Sequence, residues 1–330
     1  MALRLVQLRD RKGMPVLAAA GSDGVARRVH KFGTAVALAQ FAIDHGLSLA
    51  DALADRLSDE IVDLRAAEAE GRLLPAIMKD DPARIHVTGT GLTHLGSAES
   101  RDRMHQTAVG GGVTDSMRMF LMGVQGGKPP GKGAGAQPEW FYKGDGSCLV
   151  GPGTDLASPD FALDGSEEPE IAGVYMVDPE GNPRRLGFVL ANEFSDHVTE
   201  RQNYLWLAHS KLRPAALGAE LLTGDLPADV RGTSRIIRDG KTIWERPFLS
   251  GETNMSHSIA NLEHHHFKYE LCRRPGDIHV HFFGTATLSF ADDVTTCEGD
   301  LFEIEAGPFL LPLRNRLAAA APAQFEVTAL

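Results

Sequence analysis

The residues with the clearest chemical potential are carboxylates. Glu168 and Glu170 flank Pro169 at the head of an apolar run, Ile171 to Val177. In an extended chain, side chains at i and i+2 lie on one face, so the two carboxylates project together while Pro169 faces away. Two parallel carboxylates on a rigid strand repel unless a hard cation lies between them, and Mg²⁺, Mn²⁺ or Ca²⁺ takes such oxygen ligands. Glu167 precedes them, so the alternative is a short, solvated acidic loop. A third carboxylate shifts the balance toward a metal. Gly187 to Phe194 is a near-continuous apolar strand whose end carries Glu193, and a charge there needs a partner.

Other signals are weaker. Pro275-Gly276-Asp277 begins a turn into the strand Ile278 to Phe283, and Gly284-Thr285 follows, where glycine lets backbone amides approach a bound carboxylate. The triplet His264-His265-His266, with His257, His279 and His281, invites a metal reading. Three consecutive imidazoles point in three directions, so a hydrogen-bonded polar helix edge is the better expectation. His279 and His281 share one face of a strand. Gly89 to Gly96 follows a strand, but His94 stands where a dinucleotide loop needs its third glycine. No P-loop or nucleophile-elbow string occurs.

These residues need elements to position them. From Met1 to about Arg84 the chain reads as short strands and a helix, with Leu49, Leu53, Leu57, Ile61 and Leu64 at helical spacing after the cap Ser48, and Gly71 as the stop. Residues 85–317 read as short β-rich runs broken by glycine and proline, and 318–330 as a flexible tail. Thr107 to Pro138, rich in glycine, reads as a mobile loop or lid.

Composition bounds the remaining choices. A chain of 330 residues, 43% hydrophobic and 23% charged, is ordinary for a globular protein. Its net charge of -11 leaves no broad cationic surface for a phosphate backbone, so nucleic acid is not an expected partner. No signal-peptide core and no membrane-length apolar run is visible, and the three cysteines are scattered, which together suggest a reduced, cytoplasmic setting without a membrane partner.

In chain order, the turn Gly91-Leu92-Thr93-His94, the segment Phe141-Tyr142-Lys143, the E-x-E strand, Asn192-Glu193, Lys211, and the late Gly276-Asp277 and Gly284-Thr285 pairs resemble the fumarylacetoacetate hydrolase superfamily over about residues 85 to 310. The resemblance implies an α+β, mostly β fold: a mixed β-sheet barrel or roll with a small N-terminal α+β region, usually a homodimer. It implies Glu168, Glu170 and Glu193 as ligands of Mg²⁺ (or Mn²⁺) and Lys211 as a catalytic group. It also implies Gly284 and Thr285 as binders of the substrate carboxylate, with Lys143 a further substrate-binding candidate.

Three departures bear on the reaction. Glu193 replaces the usual aspartate, and His197 replaces a common arginine. Ser97, kept as a substrate-binding candidate, stands where hydrolytic members carry the histidine that activates water, and a serine cannot take that proton unaided. The stretch Asn203 to Lys211 is similar to the sugar-acid dehydratase branch. The expected activity is that of a carbon–oxygen lyase: dehydration of a 2-keto-3-deoxy-pentonate, of arabinonate or xylonate type, to 2-oxoglutarate semialdehyde. Lys211 or Glu139 would remove the C3 proton, or a charged Lys211 would stabilise the enolate. The alternatives are a hydrolase of acylpyruvates or diketo sugar acids using His94 or His197 as base, and a non-catalytic sugar-acid binding protein.

Overall fold

The long apolar run in the middle of the chain accounts for the architecture. The computed structural model describes residues 3–21, 24–95, 114–131 and 133–330. The strand Pro169–Val177 is buried at every position and pairs antiparallel with Pro183–Asn192. Ala172, Val174, Met176, Val189 and Ala191 enter one core, whereas Ile171, Phe188 and Leu190 enter another. The run is continuous rather than alternating because the sheet is covered on both faces.

The large sheet follows the order Leu57–Ile61, Ala26–Val29, Pro15–Ala20, Arg4–Arg9, Glu220–Leu222, Pro183–Asn192, Pro169–Val177, Ile278–Phe282, Ile85–Gly89 and Phe141–Asp145. It is mixed, since Ile278–Phe282 runs parallel to Ile85–Gly89 and antiparallel to Pro169–Val177. A second sheet comprises Lys241–Ser250, Val230–Arg238, Leu301–Ala306, Leu313–Ala319 and Leu156–Ser158. The mostly β, α+β expectation holds, but the expected barrel is corrected. Among the described residues the large sheet ends on two separate outer strands and does not close.

The N-terminal strands extend this same sheet, with Arg4–Val6 paired to Glu220–Leu222. The helix Ala35–Asp44 buries Ala35, Leu38, Ala39 and Ala42 against the first core and is capped by the Thr34 side chain. The long helix expected from Leu49 to Leu64 is not formed. Ser48 does cap a helix, but it ends at Leu53, and Leu57–Ile61 instead adds to the sheet beside Ala26–Val29. The open hydrogen bonds of a sheet edge compete with helix propensity here, and Asp63 then caps a new helix, Leu64–Ala69, followed by Gly71 in the left-handed region.

The loop expected from Thr107 to Pro138 is corrected in part: Asp115–Gly126 is a helix capped by Thr114. Gly110 to Gly112 lie outside the described residues. At the far end, the last strand reaches Ala319, and residues 321–330 are exposed with no regular structure. Among the described residues no helix is long and apolar enough to cross a membrane.

The register of the central hairpin places Glu193 beside Glu168, and one glycine sets that register. The pairing shifts between Arg185 and Gly187, where a Cβ would lie 2.3 Å from the Leu222 carbonyl oxygen. Gly187→Ala should therefore lower stability by about 1–3 kcal/mol, seen as a lower urea midpoint at unchanged slope. An unaltered midpoint would show that the crossing has room to spare.

Candidate active site

Glu168 lies just before the strand Pro169–Val177, and Glu170 lies two positions further on. Across the hairpin, Ala191 pairs with Glu170 and Asn192 with Pro169, so the next residue, Glu193, comes level with Glu168. Backbone and side-chain bonds lock this arrangement: Glu193 N–H donates to the Glu168 carbonyl (2.9 Å), and Glu168 N–H donates to Asn192 Oδ1 (3.1 Å). All three carboxylates are buried, and each offers an oxygen within 4.8 Å of the others. The solvated-loop alternative does not survive that burial.

Lys211 reaches the group from the short helix Leu207–Lys211. Its Nζ donates to Glu168 Oε1, to Glu193 Oε2 (3.2 Å) and to Ser195 Oγ (3.2 Å), and it sits 5.2 Å from the Phe141 ring centroid. Three acceptors around one nitrogen match the three donors of an ammonium. Burial pulls the lysine pKa down, but Glu168, Glu193 and Glu200 outweigh it and the net shift is upward. A buried ion pair, Arg213 to Asp196 (3.0 Å), closes the excursion that carries Lys211.

His197 is the partner whose role the sequence left open. Its Nε2 lies 3.0 Å from Glu168 Oε1, its Nδ1 2.8 Å from Ser166 Oγ and 3.5 Å from Asp164 Oδ2, and its ring stacks on Phe290. Burial opposes the imidazolium, but Asp164 and Glu168 prevail and raise the pKa to about 10. Only its position in place of an arginine marked it in the sequence; its partners arrive from distant segments.

The charges are not fully matched. Burial raises the Glu170 pKa well above the carboxylate range, and Glu193 and Glu168 push it further; burial also raises that of Glu193, against Lys211. Glu168 goes the other way: burial is overcome by Lys211 and His197. Among the described residues Glu170 Oε1 and Glu193 Oε1 are buried without any hydrogen-bond partner. Orphaned oxygens on converging carboxylates fit a hard divalent cation, which would take Glu168, Glu170 and Glu193 as ligands.

Above the triad is a small cavity of ≈ 20 Å³, room for about one water, whose walls include Thr90, Leu92, Phe141, Lys211, Thr285 and Leu288. Gly284 borders it at φ +92°, and a Cβ there would lie 2.4 Å from Thr93 Oγ1, so the turn requires glycine. Its amide, expected to meet a substrate carboxylate, donates to Glu170 Oε2 (2.7 Å). Thr285 does line the cavity. Lys143 is buried away from it, with Nζ donating to the carbonyls of Phe194 (2.7 Å) and Lys211 (3.1 Å). Glu139 is buried just before the strand Phe141–Asp145 and is not part of the cavity wall. Ser97 lies outside the described residues. A far larger groove, ≈ 830 Å³, runs between Ala35–Asp44 and the Asp178–Leu186 turn, but two of its four charged residues, Asp178 and Arg184, satisfy each other at 2.8 Å and none of the candidate site residues borders it.

The histidine triplet behaves as a polar helix edge. On the helix Ile259–Phe267, His264 is exposed, His265 Nε2 meets the Gly135 carbonyl (3.0 Å), and His266 bonds to His279 (2.9 Å) and stacks on His281. Trp140 Nε1–H can only donate, so His266 Nδ1 accepts it and His266 Nε2 donates to His279 Nδ1. Among the described residues the glutamate triad alone meets the geometry of a three-ligand site.

Two outcomes follow. Mg²⁺ or Mn²⁺ should raise the melting temperature of the wild-type protein but not of Glu170→Gln, measured by calorimetry against EDTA; equal shifts would remove the triad as the binding site. His197, with its pKa raised above the ordinary 6.5, stabilises the fold fully below pH 6.5 and loses that contribution as pH rises through about 10. His197→Gln should therefore flatten the decline in urea stability across that interval.

No protein-family model matches the sequence, and no curated protein matches it. Solved structures do match. One is 2-keto-3-deoxy-D-arabinonate dehydratase in its apo form, at TM-score 0.70 and 18% identity, over 97% of this chain and 100% of that one. The same enzyme complexed with magnesium and 2,5-dioxopentanoate matches at TM-score 0.68 and 19% identity, over 97% and 99%. A 5-carboxymethyl-2-hydroxymuconate delta-isomerase from Mycobacterium smegmatis matches at TM-score 0.54 and 17% identity, over 96% and 100%. Along nearly its whole length, the chain thus shares its fold with a 2-keto-3-deoxy-D-arabinonate dehydratase and with an isomerase.

Proposed function

We propose that this protein is a Mg²⁺-dependent dehydratase that converts a 2-keto-3-deoxy-pentonate to 2-oxoglutarate semialdehyde. The observation that carries the reading is the buried triad with two unpartnered carboxylate oxygens and an ammonium, Lys211, set among them beneath a cavity. Its support from likeness is that 2,5-dioxopentanoate, found with magnesium in a structural neighbour, is 2-oxoglutarate semialdehyde under another name.

In this reading Glu168, Glu170 and Glu193 hold the cation. When bound, the cation supplies Lewis acidity toward the carboxylate and C2 carbonyl oxygens of a 2-oxo acid. Lys211 keeps its positive charge beside the developing enolate oxygen, the second of its two expected roles, because each of its donors already has an acceptor. His197 and Ser195 do not touch the reacting carbons; they keep Glu168 and Lys211 in register. The C3–H and C4–O bonds break and one water leaves. This leaves a C3=C4 unsaturated 2-oxo acid; a proton shift from C5 to C3 converts it to the C4=C5 enol, which tautomerises to the aldehyde, so atoms balance without an oxidant.

The hydrolytic alternative needs a free imidazole base. His94 is fully buried, with Nδ1 against Thr93 Oγ1 (3.1 Å) and Nε2 against Ser250 Oγ (3.1 Å), and burial lowers its pKa to about 3. Both nitrogens of His197 are likewise engaged. Neither is placed to activate water, which favours the lyase reading.

The test is incubation of purified protein with Mg²⁺ and racemic 2-keto-3-deoxy-pentonates, with 2-oxoglutarate semialdehyde assayed by coupled oxidation. Wild type should form it, and Glu170→Gln should lose about a hundredfold or more of kcat/KM. Release of pyruvate from a diketo acid instead would establish the hydrolase, and ligand-induced stabilisation without product would establish a binding protein.

A further inference from the structure

Glu167 and Glu168 are adjacent carboxylates with different partners. Glu168 meets Lys211 and His197, while Glu167, fully buried, accepts both hydrogen bonds that Ser289 can donate: Ser289 N–H to Oε1 (2.9 Å) and Ser289 Oγ–H to Oε2 (2.8 Å). Among the described residues Glu167 forms no ion pair within 4.0 Å. Burying a carboxylate is costly even when it is hydrogen-bonded, so this contact is an expensive way to hold one serine.

What the serine holds explains the arrangement. Ser289 opens the turn Ser289–Asp292, and five positions earlier Gly284 N–H donates to Glu170 Oε2. Two carboxylates of one short segment, Glu167 and Glu170, thus grip both ends of 284–289. Between the grips lie Thr285 and Leu288, which line the cavity. Immediately after, Phe290 stacks on His197 (5.3 Å, 22°), which in turn holds Glu168.

We propose that Glu167 is a positioning residue that clamps the cavity wall, Thr285 to Leu288, to the segment bearing the metal ligands, and so sets the fit of a small 2-oxo acid in the site. The inference rests on the proposed reaction for its substrate but on the hydrogen bonds for the clamp. Because Thr285 and Leu288 border Glu168, Glu193 and Lys211, a loose wall costs substrate binding before it costs chemistry.

Hydrogen–deuterium exchange and steady-state kinetics on the full chain test it together. In Glu167→Ala, amide exchange over 285–291 should rise about tenfold or more, with 168–177 unchanged. KM for the 2-keto-3-deoxy-pentonate should rise about tenfold while kcat changes less than about threefold, and Mn²⁺ affinity should hold. Glu167→Gln, whose amide can accept from Ser289 N–H and donate to its hydroxyl, should restore both. Should Glu167→Ala not fold, Ser289→Ala removes the hydroxyl bond alone and should give a smaller rise in the same peptides. Unchanged exchange over 285–291, or a parallel loss of Mn²⁺ affinity and kcat at constant KM, overturns the clamp. Failure of the wild type to turn over the pentonates sinks the reaction reading instead, and the exchange comparison still decides the clamp.

Discussion

Three carboxylates share one buried site, and the surrounding structure is arranged around their repulsion. Glu168, Glu170 and Glu193 are almost wholly withdrawn from water, where like charges cannot be screened. Lys211 and His197 supply two positive charges, both directed at Glu168, and Lys211 also reaches Glu193. Among the described residues Glu170 receives only the Gly284 amide. The imbalance concentrates on Glu170 and Glu193, the two that retain unpartnered oxygens, and so it marks where a cation would be most strongly held.

The fold serves this constraint by placing each compensating group on a separately anchored piece. The central hairpin brings Glu193 level with Glu168 by register alone. The 196–213 excursion is closed by Asp196 and Arg213, so Lys211 is presented from a fixed base. Lys143, expected to touch substrate, instead ties the carbonyl of Lys211 to that of Phe194. It braces the backbone on which Lys211 sits. Several polar residues that look functional in the sequence thus support the carboxylate cluster from behind rather than lining the cavity.

The acidic balance of the chain gains a specific meaning. A net charge of -11 does not draw an anion from solution, so under the proposed function attraction of a sugar acid would be local, through a cation at the triad and the ammonium of Lys211. The fold itself is shared with solved enzymes at 17–19% identity. Packing of a two-faced sheet tolerates wide substitution, whereas the polar site depends on a handful of positions.

Elements whose signal is local can be read from the amino-acid order. The E-x-E spacing puts two carboxylates on one face, and the two-faced apolar runs mark buried strands, because strand periodicity needs no distant partner. The cap at Ser48 and the stop at Gly71 were legible for the same reason. Where the outcome depends on a competing edge, the local reading failed: Leu57–Ile61 is a strand because Ala26–Val29 offers it hydrogen bonds. Only tertiary structure decided that His197 holds Glu168, that Gly284 gives its amide to Glu170, and that Glu167 turns from its neighbour to Ser289, contacts that span 29, 114 and 122 positions of chain. No local pattern encodes such pairings, since burial and strand register bring the partners together and set their charge states.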